Sequence, residues 1–235
     1  MGKISNASLA SRIQNAKDMI AIIKLMLNYS PVLNLDSTAE MDILIDKITV
    51  SNDGVINAVN AYNSFVQQRR AAYNTDAYSV SKLVSPIRNS IKAQYGKNSI
   101  EYSQIDTVLK KLQGAKPTVV AATDTTDAQS ISNTERSYGA LLQNFSNLVQ
   151  TLKSFTGYTP VAAHLETAAL TTQVASLNAL NTNVAANLFK LTTARNLRDT
   201  NYEDLKTRCQ RIKSYVSATY GTQSNEYARI KGYSI

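Results

Sequence analysis

One eleven-residue pattern occurs twice in this chain and constrains what the rest can form. Tyr95-Gly96-Lys97-Asn98-Ser99-Ile100-Glu101-Tyr102-Ser103-Gln104-Ile105 and Tyr220-Gly221-Thr222-Gln223-Ser224-Asn225-Glu226-Tyr227-Ala228-Arg229-Ile230 both read Y-G-x-x-S-x-E-Y-x-x-I, at an offset of 125 residues (95 to 220). Each copy spells the end of one helix, a tight turn and the start of the next. Gly96 and Gly221 close apolar-periodic runs, where a helix needs a left-handed residue and glycine has no Cβ to clash. Ser99 and Ser224 stand where an N-cap accepts from orphan amides. Glu101 and Glu226 fall in the first turn, where the helix dipole favours negative charge. Tyr102 with Ile105, and Tyr227 with Ile230, are spaced to form one apolar stripe. A structural role therefore accounts for every shared position. The competing reading is a small recognition site made twice from the glutamates and tyrosines.

The Y-G-x-x-S-x-E-Y segment resembles one carried by uncharacterised bacterial α-helical proteins, over these short stretches only. That group has no assigned function, so the resemblance implies an all-helical fold and adds nothing on mechanism.

The rest of the chain has the same helical grammar. Leu9, Ile13, Ala16, Ile20, Ile23 and Leu27 step by three and four, which predicts a helix from about Ser8 to Tyr29 that ends before Pro31. Ser37-Thr38-Ala39-Glu40 is a capping box. It opens a long seam (Met41, Ile45, Ile48, Asn52, Val55, Val59, Tyr62, Val66, Arg69, Tyr73) that is expected to continue through Asp53-Gly54. After a break at Asn74-Thr75-Asp76, Val80, Val84, Ile87, Ile91 and Tyr95 mark a third helix, with Pro86 either kinking it or splitting it. A fourth runs from Ser99 to about Leu112.

Residues 113–130, with Gly114, Pro117 and a run of threonines and aspartates, have no period and read as a linker between a first helical copy at 1–112 and a second at 131–235. A second capping box, Ser132-Asn133-Thr134-Glu135, opens that copy. At an offset of 129, Met41, Ile45, Ile48, Asn52, Val55, Val59 and Tyr62 land on Leu170, Val174, Leu177, Asn181, Val184, Leu188 and Leu191. Asp199-Thr200-Asn201 is expected to break the chain as Asn74-Thr75-Asp76 does. Beyond it Leu205, Cys209, Ile212, Val216 and Tyr220 overlay the third helix at 125, so four residues are missing, close to one helical turn. The expected fold is all-α, elongated bundles of two related copies of a long helical hairpin plus a third long helix. Whether the copies share one bundle or make two stays open, and the last helix is expected to be short.

Composition excludes several kinds of chemistry. One cysteine allows no intrachain disulfide, and one histidine allows no multi-histidine metal site. Cys209 overlays Val84 on the seam and reads as core. His164 lacks partners for catalysis and reads as a helix-start residue. No catalytic residue, metal site or cofactor is expected. Asn52 and Asn181 interrupt both seams at one point, where polar residues set register; they are expected to pair with each other or with water.

Six cations, Lys82, Arg88, Lys92, Arg208, Arg211 and Lys213, lie in the repeated third helices of a chain with net charge +8. They make phosphate-facing surfaces, and hence nucleic acid, the alternative partner. No run long enough to span a membrane and no signal-peptide core is visible, so a cytoplasmic location is expected, with leaderless export invisible to this test. Membrane contact is not expected, for want of an apolar hairpin tip. These features together favour a non-enzymatic scaffold whose partner is itself or another protein, self-assembly included.

Overall fold

The computed structural model describes residues 6–113 and 137–235, and all regular structure among them is helical. Its elements are α1 (Asn6–Ile23), α2 (Thr38–Arg70), α3 (Val80–Tyr95), α4 (Ile100–Gln113), α5 (Tyr138–Ser154), α6 (Thr167–Tyr220) and α7 (Asn225–Ile230), with 3-10 turns at Asn34–Asp36 and Ala163–Leu165 and a π turn at Ala71–Thr75. The linker and the Ser132 capping box lie outside the described residues; α5 is instead capped by Ser137, whose hydroxyl accepts from the Ala140 amide.

Most boundaries follow from local chemistry. Ser37 accepts from the Glu40 amide at 3.4 Å and starts α2, as the capping box requires. α2 runs unbroken through Asp53-Gly54 because Ser51 and Val55 are both buried on its packed face. α1 ends earlier than its seam predicts, at Ile23, and turns lead to Asn28, whose φ of +66° reverses the chain ahead of Pro31.

Pro86 lies inside one helix, α3, and does not split it. Ile87 and Ile91 are fully buried beyond it, so packing on both sides of the proline outweighs the backbone bond it forfeits.

The break expected at Asp199-Thr200-Asn201 does not occur: α6 is continuous from Thr167 to Tyr220. That segment has neither glycine nor proline, and Asn201 and Tyr202 are buried, so packing holds it helical. The corresponding place in the first copy does break. There the π turn closes with Asp76 N–H donating to Ala71 O at 2.9 Å, and Ser79 re-caps the chain into α3. The reversal between Thr75 and Val80 has no equivalent in α6, which runs on.

The helices form two compact units, residues Met1–Asn60 with Phe189–Ile235, and residues Ala61–Leu188. The first unit packs Leu9, Ala16, Met19, Ile20 and Ile23 of α1 and Met41, Ile45 and Ile48 of α2 against Tyr202, Leu205, Cys209, Ile212 and Val216 of α6 and Ile230 of α7. In the second unit, Tyr73 and α3 and α4 (Leu83, Ile87, Ile91, Ile105, Leu109) pack against Phe145, Leu148 and Leu152 of α5, Leu165, and Leu170 and Leu177 of α6. Both units draw on both predicted copies.

Candidate functional site

The repeated turns come first, since the sequence singles them out. Gly96 and Gly221 cap α3 and α6 with φ of +86° and +97°, and their amides donate to Lys92 O and Ser217 O, both at 3.1 Å. Ser99 accepts from the Tyr102 amide at 3.0 Å and Ser224 from the Tyr227 amide at 3.1 Å, as N-caps do. Glu101 and Glu226 sit in the first turns of α4 and α7. Tyr102 and Tyr227 are half-buried against the cores of their units. Tyr95 donates to Thr156 O at 3.1 Å and Tyr220 to Leu27 O at 2.6 Å, tying each turn to the loop after α5 or α1. Burial pushes both hydroxyls above the usual tyrosine range, aided by Glu101 beside Tyr95 and by Tyr215 and Glu226 beside Tyr220. These residues are brought together as turn and clasp.

The seam asparagines do not pair with each other; each pairs with a tyrosine. Asn52 donates to the Tyr202 hydroxyl at 3.1 Å and Asn181 to the Tyr73 hydroxyl at 3.0 Å. Each tyrosine donates onward, Tyr202 to Leu9 O at 3.3 Å and Tyr73 to Tyr138 O at 3.2 Å. A tyrosine hydroxyl both accepts and donates, so it satisfies the amide and a carbonyl that one asparagine could not reach from its own helix. The partners Tyr73 and Tyr202 were missed in the sequence; their common offset of 129 from one another was the available signal.

Most of the six cations are engaged within the fold. Arg88 pairs with Asp106 at 3.0 Å, and its Nη2 reaches Gln113. Arg208, nearly buried, grips Asp204 through two bonds and donates to Leu35 O at 2.8 Å. Arg211 closes on the buried Asp36. Lys213 donates to the carbonyls of Tyr233 and Lys231, and Lys82 to that of Thr75. Lys92 is exposed. The phosphate-facing surfaces inferred from charge alone are thus largely capped and paired.

The other chemically distinctive side chains are also packed. Burial pushes the Cys209 thiol up to about 12. His164 stacks on Tyr78 with ring centroids 4.4 Å apart. Among the described residues no group of His, Cys, Asp and Glu is arranged to hold a metal ion, and no helix is long and apolar enough to cross a membrane.

What the sequence concealed is an apolar surface. In the connection between α1 and α2, Leu25, Leu27, Val32, Leu33 and Leu35 are 75, 82, 90, 47 and 50% exposed. Residues 25–35 contain no charged side chain. The segment is nonetheless well anchored. Tyr29 donates to Asp36 O at 2.8 Å and meets the Tyr215 ring edge-on at 5.5 Å, and the Tyr215 hydroxyl accepts from the Ser30 amide. Periodicity places Leu27 on the first seam and leaves Val32, Leu33 and Leu35 in a connection, and in neither case can it show that nothing covers them.

No family model, no curated protein and no solved structure matches the chain.

Proposed function

We propose that this chain is a non-enzymatic helical scaffold that acts through protein–protein contact, with a second copy of itself as the first partner. One observation carries the reading, the uncharged surface of Leu25, Leu27, Val32, Leu33 and Leu35. Several large apolar side chains left exposed within one short stretch are the physical mark of an interaction site. Two chains of net charge +8 repel, and an uncharged patch lets them meet without placing like charges opposite one another. A patch that is its own complement suits a two-fold contact.

The nucleic-acid reading retains the net positive charge but is supported less well, since most of the cations it needs already have partners inside the fold. Light scattering across a range of concentration tests the proposal. Growth beyond the 25.7 kDa monomer is expected, with reversal to monomer when Leu27→Asp and Val32→Asp are combined. A wild-type protein that stays monomeric at high concentration overturns self-association. Self-association unaffected by that double variant moves the contact elsewhere.

A further inference from the structure

Each compact unit is assembled from both sides of the segment between residues 113 and 137. In the first unit, the clasps join the amino-terminal part of the chain to its last helices: Tyr202 to Leu9, Arg211 to Asp36 and Tyr220 to Leu27. In the second unit they join α3 and its approach to α5 and α6: Tyr73 to Tyr138, Asn181 to Tyr73 and Tyr95 to Thr156. Neither hydrophobic core is made by residues 6–113 alone or by residues 137–235 alone.

We propose that residues 6–113 and residues 137–235 are each other's binding partners, and that two copies of the chain assemble by trading these halves. Each unit would then hold the first half of one copy and the second half of the other. Every hydrogen bond and apolar contact named above is the same whichever copy supplies the half. Exchange therefore changes only the entropy of connection. Within one chain the two halves meet at an effective concentration on the order of millimolar, so the closed monomer prevails in dilute solution. Refolding at high concentration favours the traded dimer. The inference names the second copy as partner, as the functional reading does, but it does not use the apolar patch, and the double variant at Leu27 and Val32 leaves it intact.

The test uses the full chain with a specific protease site inserted after Ala121. After cleavage in native buffer the two fragments are expected to elute together at the mass of the intact chain and to part only in denaturant. Fragments that separate in buffer overturn the proposal. Intact chains, one population isotopically heavy and one light, are then unfolded together and refolded at high concentration before cleavage. Mixed complexes of one heavy and one light half are expected in native mass spectra, above a control in which the two populations are refolded apart and combined after cleavage. Only matched pairs, heavy with heavy and light with light, would show that the halves bind but are not traded, and would overturn the assembly route.

Discussion

Arg211 closes on Asp36 through two hydrogen bonds of 2.6 and 2.8 Å, although the two residues lie 175 positions apart. The carboxylate is buried, and the pair raises the arginine above its ordinary range, mainly through their hydrogen bonds. At an offset of 129 from Asp36 stands Leu165, an uncharged residue buried in the core of the other compact unit.

Removing one partner should therefore cost more than removing both. Asp36→Leu or Arg211→Leu alone is expected to lower stability by about 2–4 kcal/mol, since each leaves a charge without its partner; the partly exposed arginine should suffer least when left alone. The double variant should lie closer to wild type than the sum of the singles. Urea denaturation of all four proteins measures the coupling, and strict additivity would mean that the pair contributes nothing beyond its separate parts.

The two tyrosine clasps should not weigh equally. Tyr202→Phe leaves the Asn52 side-chain amide without its acceptor and removes the second bond to the Leu9 carbonyl, with an expected loss of about 1–3 kcal/mol. In Tyr73→Phe, the Asn181 amide still lies 3.4 Å from the Tyr138 carbonyl, so the two former partners can serve one another and a loss of about 0.5–1.5 kcal/mol is expected. Thermal melts of the two variants, compared at matched concentration, decide the order.

Two glycines separate backbone conformation from packing. A Cβ at Gly54 or at Gly221 would meet no atom within 4 Å. Gly54 lies inside α2, so Gly54→Ala should stabilise the protein by about 0.5–1 kcal/mol through helix propensity. Gly221 holds a φ of +97°, so Gly221→Ala should destabilise it by roughly 1 kcal/mol or more. Chemical denaturation gives both signs.

Cys209 supplies a pH dependence. Burial pushes its thiol up to about 12, whereas an unfolded thiol ionises near pH 8.5. Between these values the unfolded chain has lost the proton and the folded one has kept it. Stability should therefore fall as pH rises, by about 1.4 kcal/mol per pH unit from this group, and level off beyond the folded value. Buried tyrosines such as Tyr29 and Tyr158 act in the same direction, so the comparison is wild type against Cys209→Val, which keeps an aliphatic residue where Val84 stands in the other unit. Wild type should lose stability more steeply with rising pH than Cys209→Val, and equal slopes would contradict the assignment.

The helices were largely legible because seams of three and four residues depend only on helical pitch, and the caps at Ser37, Ser99 and Ser224 depend only on their neighbours. The failures are those of tertiary origin. Asp199-Thr200-Asn201 reads locally like Asn74-Thr75-Asp76; Tyr73 and Tyr202 are both buried, but Asn201 is buried in the continuous helix whereas residues 74–76 are exposed at the break. A seam identifies which face of a helix is apolar but not which helix covers it, so the joining of α1 and the first part of α2 to the last part of α6 was invisible. Lys213 and Arg211 look like free cations until carbonyls and a carboxylate 175 residues away are brought to them. Leu27 looks like a core residue of the first seam until its exposure is seen.

The composition of the units also imposes an order on biosynthesis. The second unit has all its residues once Leu188 has left the ribosome, whereas the first waits for Phe189–Ile235. The apolar faces of α1 and of the first part of α2, made earliest, are thus the last to be covered. A nascent chain stalled anywhere before Ile230 would present Met19, Ile20, Ile23 and Ile48 without their final complement, a state that invites chaperone capture during translation.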